Sequence, residues 1–306
     1  MSSATSPAAQ LPDGGRLTTG LLLAAVGAVL FSGKAIVIKL AYRYGVDAET
    51  LLALRMLLAL PFFAAALVVS TRGAPALTAR DHLRLWAIGL SGYYLASYLD
   101  FLGLQYVSAA LERLILYLNP TVVLLLSALW LRRRIARGEL AALGLSYAGI
   151  VLVFWHDLRL EGRAVALGAA LVFAATVCYA FYLVLAGELV RRIGAVRLTA
   201  YAMCVATLGV LVQFAALRPL ASLAQPAPVW WLSAFNALAC TVVPVFATML
   251  AVARIGASRV ALMGMVGPIA TIALGYVFLG EAISGGQLAG TAFVLAGVWV
   301  LSRQSA

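Results

Sequence analysis

Residues 138–149 read GELAALGLSYAG, and residues 286–297 read GQLAGTAFVLAG. Both stretches begin with Gly-x-Leu-Ala and end with Ala-Gly, and they lie 148 positions apart. When the whole chain is compared with itself at this offset and without gaps, further glycines and prolines coincide: Gly20 with Gly168, and Pro120 with Pro268. Repetition at a fixed period indicates one structural unit that occurs twice. The sequence therefore predicts an internal duplication.

Composition places each copy in a membrane. Hydrophobic residues make up 64% of the 306 residues, charged residues make up 11%, and the mean hydropathy is +1.02. Soluble domains contain about 25% charged residues, so this composition excludes a soluble fold. Apolar stretches of about 20 residues can cross a bilayer as helices. Such stretches occupy residues 17–40, 49–70, 84–105, 109–131, 139–156, 164–188, 198–217, 230–252, 259–280 and 287–302. We therefore predict an all-α integral membrane protein with ten transmembrane helices.

Positive charge is distributed unevenly between the two sides of these stretches. If the N-terminus is cytoplasmic, the inner segments contain fourteen arginines and the outer segments contain five lysines and arginines. Cytoplasmic loops are enriched in Lys and Arg, so we expect both termini on the cytoplasmic side of a bacterial inner (plasma) membrane. Five helices per copy is an odd number, so the second copy crosses the membrane in the opposite sense. The expected organisation is a cytoplasmic tail at 1–16 and two inverted five-helix repeats at 17–157 and 158–306.

Short motifs recur in the same order in both copies. The second copy contains Gly256-Ala257-Ser258, then Gly267-Pro268, then Gly280-Glu281 and the 286–297 stretch. The first copy contains Ser108-Ala109-Ala110, then Asn119-Pro120 and the 138–149 stretch. Over almost the whole chain this order resembles the EamA repeat of the drug/metabolite transporter superfamily. The resemblance implies a ten-helix carrier that exports small metabolites, with amino acids, including aromatic ones, among its substrates.

The resemblance also implies roles for single residues. Lys39 and Arg55 match basic residues that the family has late in its first helix and early in its second, and Glu281 belongs to its Gly-Glu element. These positions are expected to support the scaffold. The chain departs from the family pattern at Phe31-Ser32, where an aromatic-Gly pair is usual, and Lys34 follows this site. The sign of the substrate's charge therefore stays open at this point.

Five ionisable residues lie inside the apolar stretches of the first copy: Lys34, Arg55, Asp100, Glu112 and Arg113. An ionised side chain that faces lipid costs about 3 kcal/mol, so these residues must pair or contact water. Their equivalents in the second copy are uncharged: Tyr182, Met203, Thr248, Val260 and Ala261. We expect a water-filled vestibule open to the outside, in which Lys34 or Arg113 binds a substrate carboxylate and Asp100 balances the charge or binds an amine. The alternative is that the charges only pair with one another and hold helices together.

Tyrosines at helical spacing add an aromatic component. Tyr94 and Tyr98 share one face of the third stretch, Tyr179 and Tyr182 lie in the sixth, and Tyr117 is one turn from Arg113. Small-molecule sites are mostly apolar with a few placed polar groups. We therefore predict a substrate site between the two halves, formed by Lys34, Tyr94, Tyr98, Asp100, Arg113, Tyr117, Tyr179 and Tyr182. The alternative is that the tyrosines anchor helices at the membrane interface.

Two prolines occupy equivalent positions within apolar stretches. Pro120 and Pro268 each remove a backbone donor, so each is expected to bend its helix. The bends are candidate hinges for alternating access, and a static kink is the alternative.

The chain contains no Walker A sequence, His-Glu-x-x-His motif or Gly-x-Ser-x-Gly elbow. We therefore expect no enzymatic activity, no metal and no cofactor. The basic residues are scattered and do not favour nucleic acid as a partner. The expected partners are a small-molecule substrate and the lipid bilayer. A passive channel, or a carrier of nucleotides or cationic drugs, is the alternative function.

Overall fold

The computed structural model describes residues 14–131, 137–161 and 164–304. All regular secondary structure within these residues is helical, as the composition predicts. The predicted tail at 1–16 lies outside them except for its last three residues, which already belong to the first helix. A helix satisfies its own backbone hydrogen bonds, which a segment inside a bilayer requires.

The helices in the described residues are α1 Gly14–Tyr42, α2 Ala48–Thr71, α3 Ala79–Ile88, α4 Ala96–Gly103, α5 Ala109–Leu116, α6 Asn119–Leu131, α7 Arg137–Glu161, α8 Ala164–Ile193, α9 Ala195–Leu217, α10 Ala227–Ala237, α11 Val243–Ile255, α12 Ala257–Gly264, α13 Val266–Leu274 and α14 Gly285–Gln304. Wider π-helical turns occur at Gly89–Leu95, between α3 and α4, at Leu238–Val242, between α10 and α11, and at Gly275–Leu279, after α13. The first two coincide at the 148-residue offset.

Several of these helices are long and apolar enough to cross a membrane, by length and composition. In the described residues six stretches meet this criterion: Leu17–Tyr42, Ala48–Thr71, Ala109–Leu126, Ala164–Gly187, Ala195–Leu217 and Ala227–Ile255. Shorter apolar helices cover Leu143–Trp155, Val266–Leu279 and Gly285–Val300. The chain therefore passes through the membrane several times.

The prolines mark breaks between helices. The predicted stretch 109–131 is divided into α5 and α6, and Pro120 is the second residue of α6. The predicted stretch 259–280 is divided after α12, and Pro268 is the third residue of α13. Proline fits the first turn of a helix because the amide there has no helical partner. The expected bend within a continuous helix is therefore replaced by the start of a new helix.

Helix packing repeats at the 148-residue offset. α1 packs against α11 and α13, whereas α8, which is equivalent to α1, packs against α4 and α6. α2 packs against its own equivalent α9, and α7 packs against its own equivalent α14. Each of these helix pairs thus maps either onto itself or onto another of them when the two copies are exchanged.

Contacts of individual residues also repeat at the 148-residue offset. Gly20 of α1 lies so close to Ile255 that a Cβ there would collide with the isoleucine side chain. Gly168 of α8 lies against Val107, whose Cγ1 would be 2.8 Å from a Cβ on this glycine. The offset converts Gly20 into Gly168 and Val107 into Ile255. The repeated glycines therefore serve the same close approach in both copies.

Candidate functional site

Three ionisable side chains from α1, α4 and α5 meet inside the bundle. Lys34 Nζ lies 2.5 Å from Asp100 Oδ2 and 3.2 Å from Glu112 Oε1. The exposed fractions of the three residues are 7%, 3% and 0%. One ammonium group thus contacts two carboxylates away from water, an arrangement that we call the Lys34 triad. Ser108 fixes the position of Glu112, because its hydroxyl caps α5 by accepting from the Leu111 amide.

Two arginines lie in the same region without contacting these carboxylates. Arg55 of α2 donates to Ser97 Oγ at 3.0 Å, and its guanidinium carbon lies 4.8 Å from the centre of the Phe101 ring. Arg113, the residue after Glu112, donates to Ser32 Oγ at 3.2 Å. Both arginines are buried. The immediate partner of each arginine is a serine hydroxyl group, and Arg55 also contacts the face of an aromatic ring.

Arg113 is held between aromatic rings. Its guanidinium carbon lies 5.4 Å from the ring centre of Tyr117 and 5.8 Å from that of Phe31. The Tyr117 hydroxyl donates to the Gly264 carbonyl. A Cβ at Gly267 would lie 2.6 Å from Tyr117 Oη and 2.7 Å from Arg113 Nη2, so only glycine leaves room for both side chains at the start of α13.

The region has a surplus of positive charge and unused polar atoms. Lys34, Arg55 and Arg113 carry three positive charges when ionised, and Asp100 and Glu112 carry two negative ones. Buried atoms with no hydrogen-bond partner in the described structure include Arg113 Nε, Arg55 Nε, Asp100 Oδ1 and both Glu112 oxygens. Buried charges and polar atoms without partners are costly. The arrangement therefore favours an added anionic group near Arg113.

Aromatic side chains form a second group between α8 and the π-helical turn Gly89–Leu95. The ring of Tyr182 lies 5.1 Å from those of Tyr93 and Tyr179, centre to centre, and the hydroxyl groups of Tyr93 and Tyr182 are 3.1 Å apart. Gly92 permits this contact, since a Cβ there would collide with Tyr182. Tyr182 is buried, whereas 36% of Tyr179 stays exposed.

The charged group and the tyrosine group contain equivalent positions of the two copies. At the 148-residue offset Lys34 corresponds to Tyr182, and Phe31 corresponds to Tyr179. Phe31 and Tyr179 are exposed by 38% and 36%, so both present aromatic surface. The charged group of the first copy thus has an aromatic counterpart in the second. Sequence reasoning did not assign Phe31, Ser32 or Tyr93, although the offset itself relates Phe31 to Tyr179.

The structure separates two predicted site residues from the others. Tyr94 lies against α9, where a Cβ on Gly209 would meet its ring at 3.2 Å. Tyr98 donates to Glu49 Oε1 at 3.0 Å, and Glu49 Oε2 accepts from Arg218 at 3.2 Å. Tyr94 and Tyr98 therefore pack between helices or stabilise a loop contact, and they do not join Tyr179 and Tyr182.

Further contacts close one end of the bundle, where α1 finishes; we call it the Lys39 end. Lys39 Nζ lies 3.2 Å from Glu281 Oε1 and donates to the Val107 carbonyl at 2.8 Å. Glu281 also accepts from the Ala109 amide at 3.1 Å. Lys39 and Glu281 thus join α1, α5 and the segment that follows the π-helical turn at 275–279.

Asp47 and Arg218 form an ion pair at the same end, 3.3 Å apart. Partial burial raises the pKa of Asp47, but hydrogen bonds from Thr50 and the charge of Arg218 outweigh this effect and hold the pKa below its usual value. The carboxylate stays ionised and caps α2.

In the described part of the chain, cavities open at the Lys39 end. The first, of about 330 Å³, is lined by Lys39, Tyr42, Gly45, Val46, Leu104 and Gln105. The second, of about 420 Å³, is lined by Leu40, Arg43, Tyr44, Pro228, Trp231 and Leu232. Neither lining includes the Lys34 triad, whose three residues are almost completely removed from water. The expected open vestibule is therefore not formed around Lys34 in this conformation, because the charges pair with one another.

The comparisons with known proteins agree with this architecture. The model of the EamA-like transporter family matches residues 18–155 and again residues 166–303, two matches that are themselves 148 positions apart. The chain belongs to the EamA-like transporter family. Its membership makes it a multi-pass membrane transporter, and the predicted absence of enzymatic function is consistent with this family.

Three curated proteins are similar to this chain along most of its length. The uncharacterized transporter YcbK of Bacillus subtilis (strain 168) is 32% identical over 292 residues, which cover 91% of this chain and 92% of the relative. The uncharacterized transporter YyaM of the same organism is 25% identical over 218 residues, covering 70% and 71%. An uncharacterized transporter of Archaeoglobus fulgidus is 24% identical over 252 residues, covering 82% and 87%.

A solved structure, described only as the crystal structure of a protein, has the same fold as this EamA-like transporter. Its TM-score is 0.64 at 18% sequence identity, and the match covers 94% of this chain and 99% of the other. At this identity the likeness shows the fold alone.

Proposed function

We propose that the protein is a secondary carrier that exports small amphipathic metabolites across the bacterial inner membrane by alternating access. Amino acids, aromatic or hydrophobic ones in particular, are the proposed substrates. The carrier consists of two inverted five-helix repeats, residues 17–157 and 158–306, with a central substrate cavity between them. Such inverted repeats are typical of secondary transporters that bind substrate near the middle of the membrane.

The repeat of helix contacts supports the proposed arrangement. α3 with α4, α5 with α6, α10 with α11, and α12 with α13 each form one interrupted segment, so the described helices make five segments in each copy. An odd number of crossings places equivalent helices in opposite directions. Exchange of the copies also preserves the main helix pairs that α1, α2 and α7 and their equivalents α8, α9 and α14 make, which is expected for a two-fold axis in the membrane plane.

The distribution of charge supports an orientation with both termini in the cytoplasm. The Lys39 end then faces the outside, and its ion pair with Glu281 closes the outer side in this conformation.

The buried surplus of positive charge is the observation that carries the substrate assignment. Arg113 has an unpartnered Nε and no carboxylate in contact, so it is the proposed receptor of a substrate carboxylate, with Lys34 beside it. Asp100 is the proposed acceptor of a substrate amine. Tyr117, Tyr179 and Tyr182, together with Phe31, supply aromatic surface for a hydrophobic side chain. Small-molecule sites combine such apolar walls with a few charged groups.

Counterflow in proteoliposomes tests this function. Purified protein is reconstituted, and exchange is measured with labelled L-phenylalanine, L-leucine, uridine and tetraphenylphosphonium. We expect saturable counterflow of the two amino acids. Flux that does not saturate and shows no counterflow identifies a channel, and preference for uridine or tetraphenylphosphonium overturns the proposed substrate class.

Replacing Arg113 with glutamine is expected to lower kcat/KM for the transported amino acid by about 30-fold or more, because a buried charged hydrogen bond to the carboxylate is worth roughly 2 to 5 kcal/mol. The matched control is Arg254→Gln, since Arg254 is exposed and bonds only to its own helix. Equal kinetics for the Arg113 and control variants, at equal insertion, contradict the assignment.

Pro120 and Pro268 are the proposed hinges, because each begins a new helix beside a break. Replacing both with alanine makes continuous helices easier to form. We therefore expect slower turnover with little change in substrate affinity. Counterflow rate and substrate binding are measured on the same preparation, and an unaltered turnover contradicts the hinge role.

A further inference from the structure

Asp100 and Glu112 contact the same ammonium group, and most of their oxygens lack hydrogen bonds. Asp100 Oδ1 and both Glu112 oxygens are buried without a hydrogen-bond partner, although Glu112 Oε1 is within ion-pair distance of Lys34. Because Asp100 Oδ2 and Glu112 Oε1 contact one nitrogen, they lie within about 6 Å of each other, a range in which two like charges strongly oppose each other's ionisation.

A single proton reduces both the repulsion between the two carboxylates and the number of oxygens without a hydrogen bond. Protonation removes one of two neighbouring negative charges and supplies an O–H donor for an oxygen that has no partner. The charges of the Lys34 triad itself then balance, one positive against one negative. Two carboxyl groups that share one proton are a recurrent solution where like charges are confined together.

The charges around Glu112 limit the pair to one proton. Lys34 of α1 contacts both carboxylates, and Arg113 of α5 and Arg55 of α2 add positive charge nearby, which keeps at least one carboxylate ionised. Cys240, in the π-helical turn Leu238–Val242, and Tyr42 of α1 are further ionisable side chains near this group.

The other helices packed against α5 present uncharged groups. α7 and α14 present Val153 and Val294, and α8 presents Thr176, whose hydroxyl lies 3.4 Å from the Ile115 carbonyl. α13, Val266–Leu274, contains no ionisable residue. These neighbours therefore add no further charge beside the pair.

We propose that Asp100 and Glu112 form a proton-binding site through which the protein exchanges one proton for each substrate molecule. This inference rests on the proposed carrier function. A substrate ammonium that binds the carboxylate pair from the cytoplasm displaces the shared proton into the cytoplasmic water. After the substrate leaves on the outer side, a proton from that side enters the pair. Substrate thus moves outward as a proton moves inward.

Infrared spectroscopy of the wild-type protein tests the proton site without any substrate. Above about pH 6 exposed carboxyl groups are ionised, since their usual pKa values are near 4. We expect a carbonyl-stretch band from a protonated carboxylic acid that persists above this pH and disappears in alkali. Isotope-labelled aspartate and glutamate assign the band. It is lost in the Asp100→Asn/Glu112→Gln variant and retained in the control Glu49→Gln, because Glu49 lies at the Lys39 end with Arg218.

Transport of L-phenylalanine tests the exchange. With the membrane potential clamped by potassium and valinomycin, a gradient of one pH unit supports up to about tenfold accumulation if one proton is exchanged per molecule. We expect this accumulation in wild type and in Glu49→Gln, and its loss in Glu112→Gln.

The outcomes separate this inference from the proposed function. Wild-type protein with no titrating carboxylic-acid band overturns the proton site. Counterflow that is intact in wild type but does not respond to a pH gradient overturns the exchange and leaves the carrier in place. Absence of counterflow overturns the proposed function, and the infrared band still decides whether the pair binds a proton.

Discussion

Replacing Lys34 with methionine is expected to lower the free energy of unfolding by about 3 to 5 kcal/mol, because Asp100 and Glu112 are then buried together without a contacting cation. Methionine keeps most of the volume of lysine, so cavity formation adds little to this loss. Protonation of the carboxyl groups relieves the repulsion, and the loss should therefore be larger in alkaline than in mildly acid buffer. Denaturant unfolding in detergent at several pH values measures both effects.

Two further variants make the Lys34 result specific. Adding Asp100→Asn and Glu112→Gln to Lys34→Met removes the uncompensated charges and is expected to restore most of the lost stability. Lys39→Met is the matched control, since Lys39 pairs with Glu281 where both side chains are partly exposed, at 24% and 20%. Its expected loss is about 1 kcal/mol or less. Similar losses for Lys34→Met and Lys39→Met argue against a buried triad.

Replacing Gly149 with alanine is expected to destabilise the protein by about 1 to 3 kcal/mol through overpacking. Gly149 lies where α7 meets α14, and a Cβ there would be 2.5 Å from the carbonyl oxygen of Gly290 and 2.9 Å from Phe293 Cβ. The first of these atoms belongs to the backbone, so no side-chain rotation relieves the contact. The helices must move apart, which reduces their packing.

Gly144 provides the control on the same helix. A Cβ at Gly144 meets no atom within 4 Å, so Gly144→Ala is expected to be neutral or stabilising by up to about 1 kcal/mol from helix propensity. Because Gly149 and Gly290 approach each other, Gly290→Ala should also destabilise, and the double variant should cost less than the two single effects together. Thermal unfolding monitored by intrinsic fluorescence compares the variants. Equal Tm values for Gly149→Ala and Gly144→Ala contradict the close crossing.

Much of the helical architecture follows from the sequence because hydropathy and repetition are properties of the chain alone. The apolar stretches coincide with helices, and the 148-residue offset predicts equivalent contacts such as Gly20 with Ile255 and Gly168 with Val107. The π-helical turns are different. They change the number of residues per turn without changing hydropathy, so neither Gly89–Leu95 nor Leu238–Val242 is visible in the pattern.

The candidate site is only partly predictable for a related reason. Sequence places the five charges inside apolar stretches of the first copy, but the rotation of each helix decides which charges touch. The structure joins Lys34 to Asp100 and Glu112, while Arg55 turns to Ser97 and Phe101. Helix rotation also directs Tyr93 towards α8 and the adjacent Tyr94 towards α9. Spacing along one helix identifies its faces but not the neighbour that each face meets.

The π-helical turns and the Lys34 triad differ in whether both copies contain them. A wider turn occurs at the same offset in both copies. The Lys34 triad, in contrast, has no charged equivalent in the second copy. In a dimer of identical subunits every charged residue occurs twice. In one chain with two copies, one copy can carry charged residues where the other carries aromatic ones. Because both copies belong to one chain, they need not stay identical, which leaves room for an asymmetric binding site in this transporter.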